Sequence, residues 1–225
     1  FRDDGFTAAS DLTLKRYVPW YLKGGTYANL LYYVRPLDHA QFEPIQVDLP
    51  RIQSGGEERY HPMNPSIQRT ENGYKVICRT VNYTQKGAKE FNTTDPTGVF
   101  RTRNFLLHYD RHLQVQAQQE IIENLPRERI RAFNLEGLDD CRIFGWNNSS
   151  WFTCTTGDTN PVGNFQISLC KLADRAEDKQ LFVEKLTPLE GPDPYRCEKN
   201  WLPFIKDNAL YLIYTCYPFT VFKPD

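Results

Sequence analysis

The sequence predicts an all-β fold from three observations. Its 225 residues are rich in β-branched and aromatic residues, which occur in short runs. Tight polar turns separate those runs, and convincing helical periodicity is scarce along the chain. The 40% hydrophobic content is enough to form a substantial core, so a single large domain is the default expectation.

The beginning of the chain is predicted to hold two short segments. Residues 1–26 form an N-terminal segment that is expected to be partly helical, because Ser10 or Asp11 can cap an apolar run, although Pro19 interrupts it. Residues 27–50 contain two further apolar runs and are predicted to form a strand pair.

Three predicted hairpins share one plan. In each, a polar cluster precedes an apolar strand, a tight turn and a second apolar strand. The turns contain Asn72-Gly73, "NNSS" from Asn147 and "KDN" around Asp207, and the polar clusters precede them by eight, seven and nine residues. A second strand pair follows each of the first two hairpins, so two units of four strands result.

Repeated four-stranded units of roughly 50 to 70 residues are typical of a β-propeller, in which each blade buries its faces against its neighbours. The predicted propeller occupies residues 27–225, with a half blade at 27–50 and blades that start near residues 61, 137 and 196. The innermost strand of each blade lines a central channel. We therefore expect the polar clusters to meet at one end of that channel and to include Asn64, Asp139, Asp140, Arg142, Glu198, Lys199 and Asn200. The alternative is that these are ordinary loop groups and strand caps.

Charge narrows the range of partners. The 27 basic and 28 acidic residues are mixed along the chain and leave a net charge of -1, so no global field favours nucleic acid or an anionic membrane. No apolar stretch approaches the ~20 residues that a membrane-spanning helix needs. The expected partners are a carbohydrate and the remaining propeller blades or other domains of a longer chain.

The cysteines are predicted to be structural. None of the six lies in a CxxC motif, and most lie in apolar strand-like runs, so no metal site is predicted and disulfides are the lesser alternative. We expect free thiols within strands at Cys78, Cys154, Cys170 and Cys216. Buried thiols favour a cytoplasmic location over secretion, whereas four short glycosylation sequons leave the compartment open.

Three motifs resemble those of a known superfamily. Gly137-Leu138-Asp139-Asp140-Cys141-Arg142 is similar to the Gly-x-Glu-Asp-Pro-Arg signature of the mannoside phosphorylases, within the five-bladed β-propeller glycoside hydrolases and phosphorylases. "HPMNPS" from His61 resembles the Asn-Pro-containing first-blade entry of that superfamily, and "EKNWLPF" from Glu198 resembles a later segment near the sugar site. The resemblance covers residues 61–218. Asp139 and Cys141 replace the signature Glu and Pro, and the first motif lacks the nucleophilic Asp of the invertase-like members.

The resemblance implies a five-bladed propeller with Asp140 as the general acid. Five blades would need roughly 250 to 350 residues, so the chain is expected to be a fragment. Without a first-blade carboxylate, inverting glycosyl transfer or phosphorolysis is favoured, because phosphate or another acceptor can itself attack the opposite face of the sugar. No cofactor is implied, and phosphate is a candidate co-substrate.

The remaining candidate residues would bind the anion or the sugar. An anion requires cations, and Arg is well suited to bidentate phosphate contacts. Strand alternation places Arg79 with Ile77 and Val81, which favours a packing face and makes its assignment the weakest. Glu198 is a second carboxylate or a hydroxyl-binding group, and Trp201 offers a ring to sugars, although such residues are often core aromatics. The cationic candidates are Arg79, Arg103, Arg142, Arg196 and Lys199.

Two other functions remain open. A propeller retained only as a glycan-binding or protein-binding module would explain the missing first-blade Asp. A nucleotide-sugar glycosyltransferase is a third reading, but no phosphate-cradling Gly-rich loop or Asp-x-Asp metal motif is evident.

Overall fold

The computed structural model describes residues 60–86, 90–93, 95–126, 134–175 and 180–224. The predicted helical segment 1–26 and the predicted half blade 27–50 lie outside these ranges. The described part is all-β, with no helix, and so none of its residues form a helix that could cross a membrane. Its strands are β1 (His61–Thr70), β2 (Gly73–Val81), β3 (Tyr83–Lys86), β4 (Glu90–Thr93), β5 (Phe100–Asp110), β6 (Val115–Ile122), β7 (Leu135–Glu136), β8 (Asp139–Trp146), β9 (Ser149–Thr156), β10 (Gln166–Arg175), β11 (Gln180–Pro188), β12 (Leu202–Lys206), β13 (Ala209–Cys216) and β14 (Phe219–Phe222).

The three predicted hairpins are present. They are the antiparallel pairs β1–β2, β8–β9 and β12–β13. Their two-residue turns are Glu71–Asn72, Asn147–Asn148 and Asp207–Asn208. The last two turns have positive φ at both residues, as the tight hairpin turn that matches strand twist requires.

Two four-stranded units follow from these hairpins. β1, β2, β5 and β6 form the first antiparallel unit, and β8, β9, β10 and β11 form the second. A small separate hairpin, β3–β4, is inserted into the first unit between β2 and β5. The strand count that the sequence predicts for these two units is therefore observed.

The two units are not separate sheets. The outer strands β6 and β11 pair in parallel through Ile121–Leu181 and Ile122–Phe182, giving the strand order β1-β2-β5-β6-β11-β10-β9-β8. At the other end of this order, the Ile143 amide of β8 donates to Ser66 Oγ of β1 at 3.0 Å. The result is a nearly closed, barrel-like sheet, and a five-bladed propeller is not established by it.

Apolar side chains fill the space on both sides of the second unit. Between the first two units, Ile77 and Leu106 pack with Phe152, Cys170 and Leu172. On the opposite side, Phe144 and Leu169 pack against Trp201, Leu210 and Leu212 of a third sheet, β12-β13-β14. The second unit therefore shares one core with the first unit and another with the third sheet.

The predicted free thiols are confirmed. Cys78, Cys154 and Cys170 are buried and unbridged within β2, β9 and β10. Cys216 is also unbridged. It is exposed because it is the last residue of β13, directly before the turn to β14.

Candidate active site

Each of the three units begins with the same backbone feature. Asn64, Asp140 and Asn200 have φ values of 47°, 50° and 62°, in the left-handed region that few residues other than glycine adopt. Asn and Asp tolerate this region because their short polar side chains can hydrogen-bond locally. Each lies eight residues before the second residue of its hairpin turn, which is Asn72, Asn148 or Asn208.

In β1 and β8 the left-handed residue lies at a β-bulge close to the beginning of the strand. The registers of β1 and β8 shift between Met63 and Ser66 and between Asp139 and Arg142, around the two left-handed residues. Such bulges turn a side chain away from the regular alternation, and they are frequent beside functional sites. The first two left-handed residues consequently meet: Asn64 Nδ2 donates to Asp140 Oδ1 at 2.6 Å.

Arg79 completes this group, which we call the Asp140 cluster (Asn64, Arg79, Tyr83, Asp139 and Asp140). Its Nη1 lies 2.7 Å from Asp140 Oδ1 and 3.5 Å from Asp139 Oδ1. Strand alternation places Arg79 on the same face of β2 as Ile77 and Val81, and there it pairs with both carboxylates rather than only packing. The residue with the weakest sequence support thus lies at the centre of the cluster.

The Arg79 side chain is nearly enclosed. The residue is only 5% exposed, and its Nη2 donates to Tyr83 OH at 3.0 Å and to Met63 Sδ at 2.9 Å. Its Nε has no hydrogen-bond partner among the described residues. The guanidinium is therefore held in one orientation from both sides, and Asp140 is oriented through it.

Asp139 and Asp140 differ in their surroundings although they are adjacent. Asp139 is 4% exposed and accepts a hydrogen bond from Thr102 Oγ1 at 2.6 Å. Both contacts to Asp140 fall on Oδ1, and no described residue hydrogen-bonds to its Oδ2. Asp139 is thus a buried structural partner, whereas Asp140 keeps one carboxylate oxygen unoccupied.

Gly137 explains how the two carboxylates reach this position. Its φ is +104°, and a Cβ at this residue would lie 2.2 Å from the Thr102 carbonyl oxygen of β5. Only glycine allows the chain to pass so close to β5 just before β8 begins. Gly137 therefore has a steric role in placing Asp139 beneath Thr102.

Tyr83 adds a hydroxyl to the Asp140 cluster. Burial raises the pKa of Tyr83; the nearby Arg79 opposes this effect, and Asp139 and Asp140 reinforce it. The phenol is consequently protonated at neutral pH and can both accept from Arg79 and donate to another group.

The second and third units are connected by Arg142 and Asn200. Arg142 Nη2 donates to Asn200 Oδ1 at 3.4 Å, and Arg142 Nε is buried without a partner among the described residues. At the far end of the same strands, Trp146 Nε1 donates to the Asn208 carbonyl at 3.0 Å. The first strands of the three units therefore lie side by side in the order β1, β8, β12.

Lys199 and Arg196 are exposed at the entrance to the third unit. The Lys199 ammonium lies 4.4 Å from the centroid of the Phe165 ring, and the Arg196 guanidinium lies 5.7 Å from that of Tyr214. Both charges thus rest on aromatic faces while remaining accessible to solvent.

Glu198 is held away from the Asp140 cluster. It is 6% exposed, and its two carboxylate oxygens accept hydrogen bonds from Trp201 Nε1 at 3.1 Å and from Tyr214 OH at 3.0 Å. No described contact joins it to Asp140. The residue that corresponds to Asp140 in the third unit is Asn200, two positions after Glu198.

Two further predicted binding residues lie apart from the cluster. Trp201 is 2% exposed and packs edge-on against Tyr214 and Phe222, as a core aromatic does. Arg103 forms a two-pronged ion pair with Glu120 at 2.6 and 2.5 Å. Strand alternation places it on the opposite face of β5 from Thr102.

Sequence reasoning missed Tyr83, Met63 and Thr102. All three come from the first unit and bond to Arg79 or Asp139. Met63 lies within the "HPMNPS" motif but has no expected role there, and Tyr83 and Thr102 lie outside the three motifs. Their only sequence signal is position: Tyr83 follows Arg79 by four residues, just after β2 ends.

Comparisons with known proteins add no family to these observations. No protein-family model, curated protein or solved structure matches the chain. Among the described residues, no group of three His, Cys, Asp or Glu side chains is arranged to hold a metal ion.

Proposed function

We propose that this chain is part of a five-bladed β-propeller that acts on carbohydrate, by inverting glycosyl transfer or phosphorolysis, with Asp140 as the general acid. The observation that carries the proposal is the Asp140 cluster at the joint entrance of neighbouring first strands. The side-by-side order of β1, β8 and β12, and the cores on both faces of the second unit, support a propeller arrangement.

Asp140 has the geometry that a general acid needs. Its Oδ1 is held by Arg79 and Asn64, which fix the carboxyl group, while its Oδ2 is left for a substrate. A positioned acid of this kind would protonate the leaving glycosidic oxygen.

An attacking anion would bind on the side of Arg142 rather than Arg79. The charge of Arg79 is already balanced by Asp139 and Asp140. Arg142 is paired only with a neutral amide and has an Nε without a partner among the described residues. Its amide partner, Asn200, directly follows the exposed Lys199 in sequence. Phosphate as co-substrate suits this cationic edge.

One observation favours the alternative, a propeller that binds glycans without turning them over. Asn64 occupies the first-unit position where a carboxylate would serve as a nucleophile, and it is already bonded to Asp140. The side chain at this position is therefore an amide that bonds to the proposed acid and cannot itself act as a nucleophile.

The deciding experiment is Asp140→Asn in the full-length protein, assayed on manno-oligosaccharides with and without phosphate. An amide keeps the shape but delivers no proton, so we expect turnover to fall by about 10² to 10⁴ while glycan binding persists. Asp207→Asn is the matched control, since Asp207 also has positive φ but lies in a hairpin turn. Near-normal turnover in Asp140→Asn would refute the acid role. Glycan binding by the native protein without turnover under either condition would establish the binding module instead.

A further inference from the structure

A second candidate site lies at the opposite end of the barrel-like sheet. A cavity of about 750 Å³ opens between the first two units, near their hairpin turns. Lys75 lines it and precedes Arg79 by four residues on β2, which separates the two sites by about 13 Å along the strand. Its volume is within the ~300 to 1,000 Å³ usual for small-molecule sites, which occur preferentially in places such as the mouths of β-barrels.

The cavity has an apolar floor and a charged rim. Leu106, Leu172 and Leu181 form the floor and belong to the core between the two units. Two residues further along β5 and β10, His108 and Asp174 belong to the rim together with Lys75. Strand alternation accounts for this layering, because residues two apart point to the same side.

The rim carries one charge of each sign. Lys75 Nζ donates to Ser150 Oγ at 2.8 Å, so the ammonium contacts a neutral hydroxyl rather than a carboxylate. Burial lowers the pKa of His108; the ammonium of Lys75 lowers it further, and the carboxylate of Asp174 opposes both. At neutral pH the imidazole is therefore uncharged and stands within the fields of a cation and an anion.

We infer that this cavity binds a small zwitterion with an apolar side group, of the kind represented by a free aliphatic α-amino acid. The ligand carboxylate would bind Lys75, its ammonium would bind Asp174, and its side chain would rest on the three leucines. A ligand with one charge would pair with one rim residue only, whereas a zwitterion would pair with both. This site is separate from the Asp140 cluster and does not depend on the function proposed there.

The test is a titration of the chain with three ligands that share one apolar group: L-leucine, 4-methylpentanoate and 3-methylbutylamine. Binding is followed through the NMR signals of the His108 ring. We expect a saturable shift with L-leucine and at least about 10-fold weaker binding of the singly charged analogues, since each analogue lacks one of the two hydrogen bonds to a charged rim group.

Two variants should each remove the preference for L-leucine over one of the analogues. Asp174→Asn should remove the disadvantage of 4-methylpentanoate, and Lys75→Met should remove that of 3-methylbutylamine. Lys206→Met and Asp207→Asn change the same residue types outside the cavity and should leave the order unchanged. The wild-type titration decides the matter even if a variant fails to fold. No saturable His108 shift with L-leucine, or equal binding of all three ligands, would overturn the inference.

Discussion

The two ends of the barrel-like sheet treat their charges in opposite ways. At the strand-entrance end, Arg79 is 5% exposed and contacts two carboxylates directly. At the turn end, Lys75, His108 and Asp174 surround about 750 Å³ of open space. At the first end the cation and the carboxylates orient one another and leave one oxygen of Asp140 open, whereas at the second the charged groups stand around a cavity. Charged groups can thus be arranged either by direct pairing or by lining an open space.

The largest expected effect is the removal of the buried guanidinium. Arg79→Met would leave Asp139 and Asp140 facing each other without a cation, and breaking a buried pair in this way costs about 3 to 5 kcal/mol. Urea unfolding measures the loss. Arg103→Met is the control, because its ion pair with Glu120 has side chains 28% and 26% exposed and should be worth about 0 to 1 kcal/mol. Equal losses of unfolding free energy in the two variants would show that the ion pairs of Arg79 with Asp139 and Asp140 do not stabilise the fold more than a surface pair does.

Gly137→Ala should have the next largest effect. The added Cβ would need a positive φ and would collide with the Thr102 carbonyl, so we expect a loss of about 2 kcal/mol or more. Gly98 also has positive φ, but a Cβ there would meet only the Asn134 side chain at 3.7 Å. Gly98→Ala should thus cost only the backbone strain, about 1 kcal/mol. Thermal unfolding compares the two, and a larger loss for Gly98→Ala would contradict the close approach.

Glu198→Gln tests whether the third unit uses its carboxylate structurally. An amide cannot accept the bonds of both Trp201 and Tyr214 in the same way, so we expect a loss of about 1 to 3 kcal/mol. Burial raises the pKa of Tyr214, and the hydrogen bond and charge of Glu198 raise it further. The variant should therefore lower that pKa, as measured by phenolate absorbance. Glu190→Gln, at an exposed position, serves as the control. An unchanged pKa of Tyr214 in Glu198→Gln would show that Glu198 does not act on this phenol.

The smallest effect is a pH dependence at the turn end. Because burial lowers the pKa of His108 from its usual 6.5, the unfolded chain binds the proton more readily than the folded one. This contribution to stability is present above that value and is lost as pH falls toward the folded pKa. His108→Gln should flatten the stability profile below about pH 6.5, as measured by urea unfolding at a series of pH values. A profile unchanged by the substitution would show that His108 does not contribute to this pH dependence.

Local chemistry explains what could be predicted. The hairpins were predictable because Asn and Asp readily adopt the left-handed conformations that two-residue turns require. The meeting of Asn64 and Asp140 was also expected, since both polar clusters precede strands at matched distances from their turns. The same spacing favoured Glu198 in the third unit, but the left-handed residue there is Asn200. The spacing of a polar cluster does not indicate which of its residues turns toward the neighbouring strand.

The sequence by itself determined the all-β character, the strand pairs and the polar clusters at their entrances, since these depend on residues close together in the chain. The tertiary structure alone decided that Arg79 pairs with both carboxylates, that Trp201 is enclosed, and that β6 joins β11. Each of these depends on residues far apart in sequence: Arg79 and Asp140 are separated by 61 positions. Such partners are chosen by how whole sheets pack around shared cores, and no local pattern records that choice.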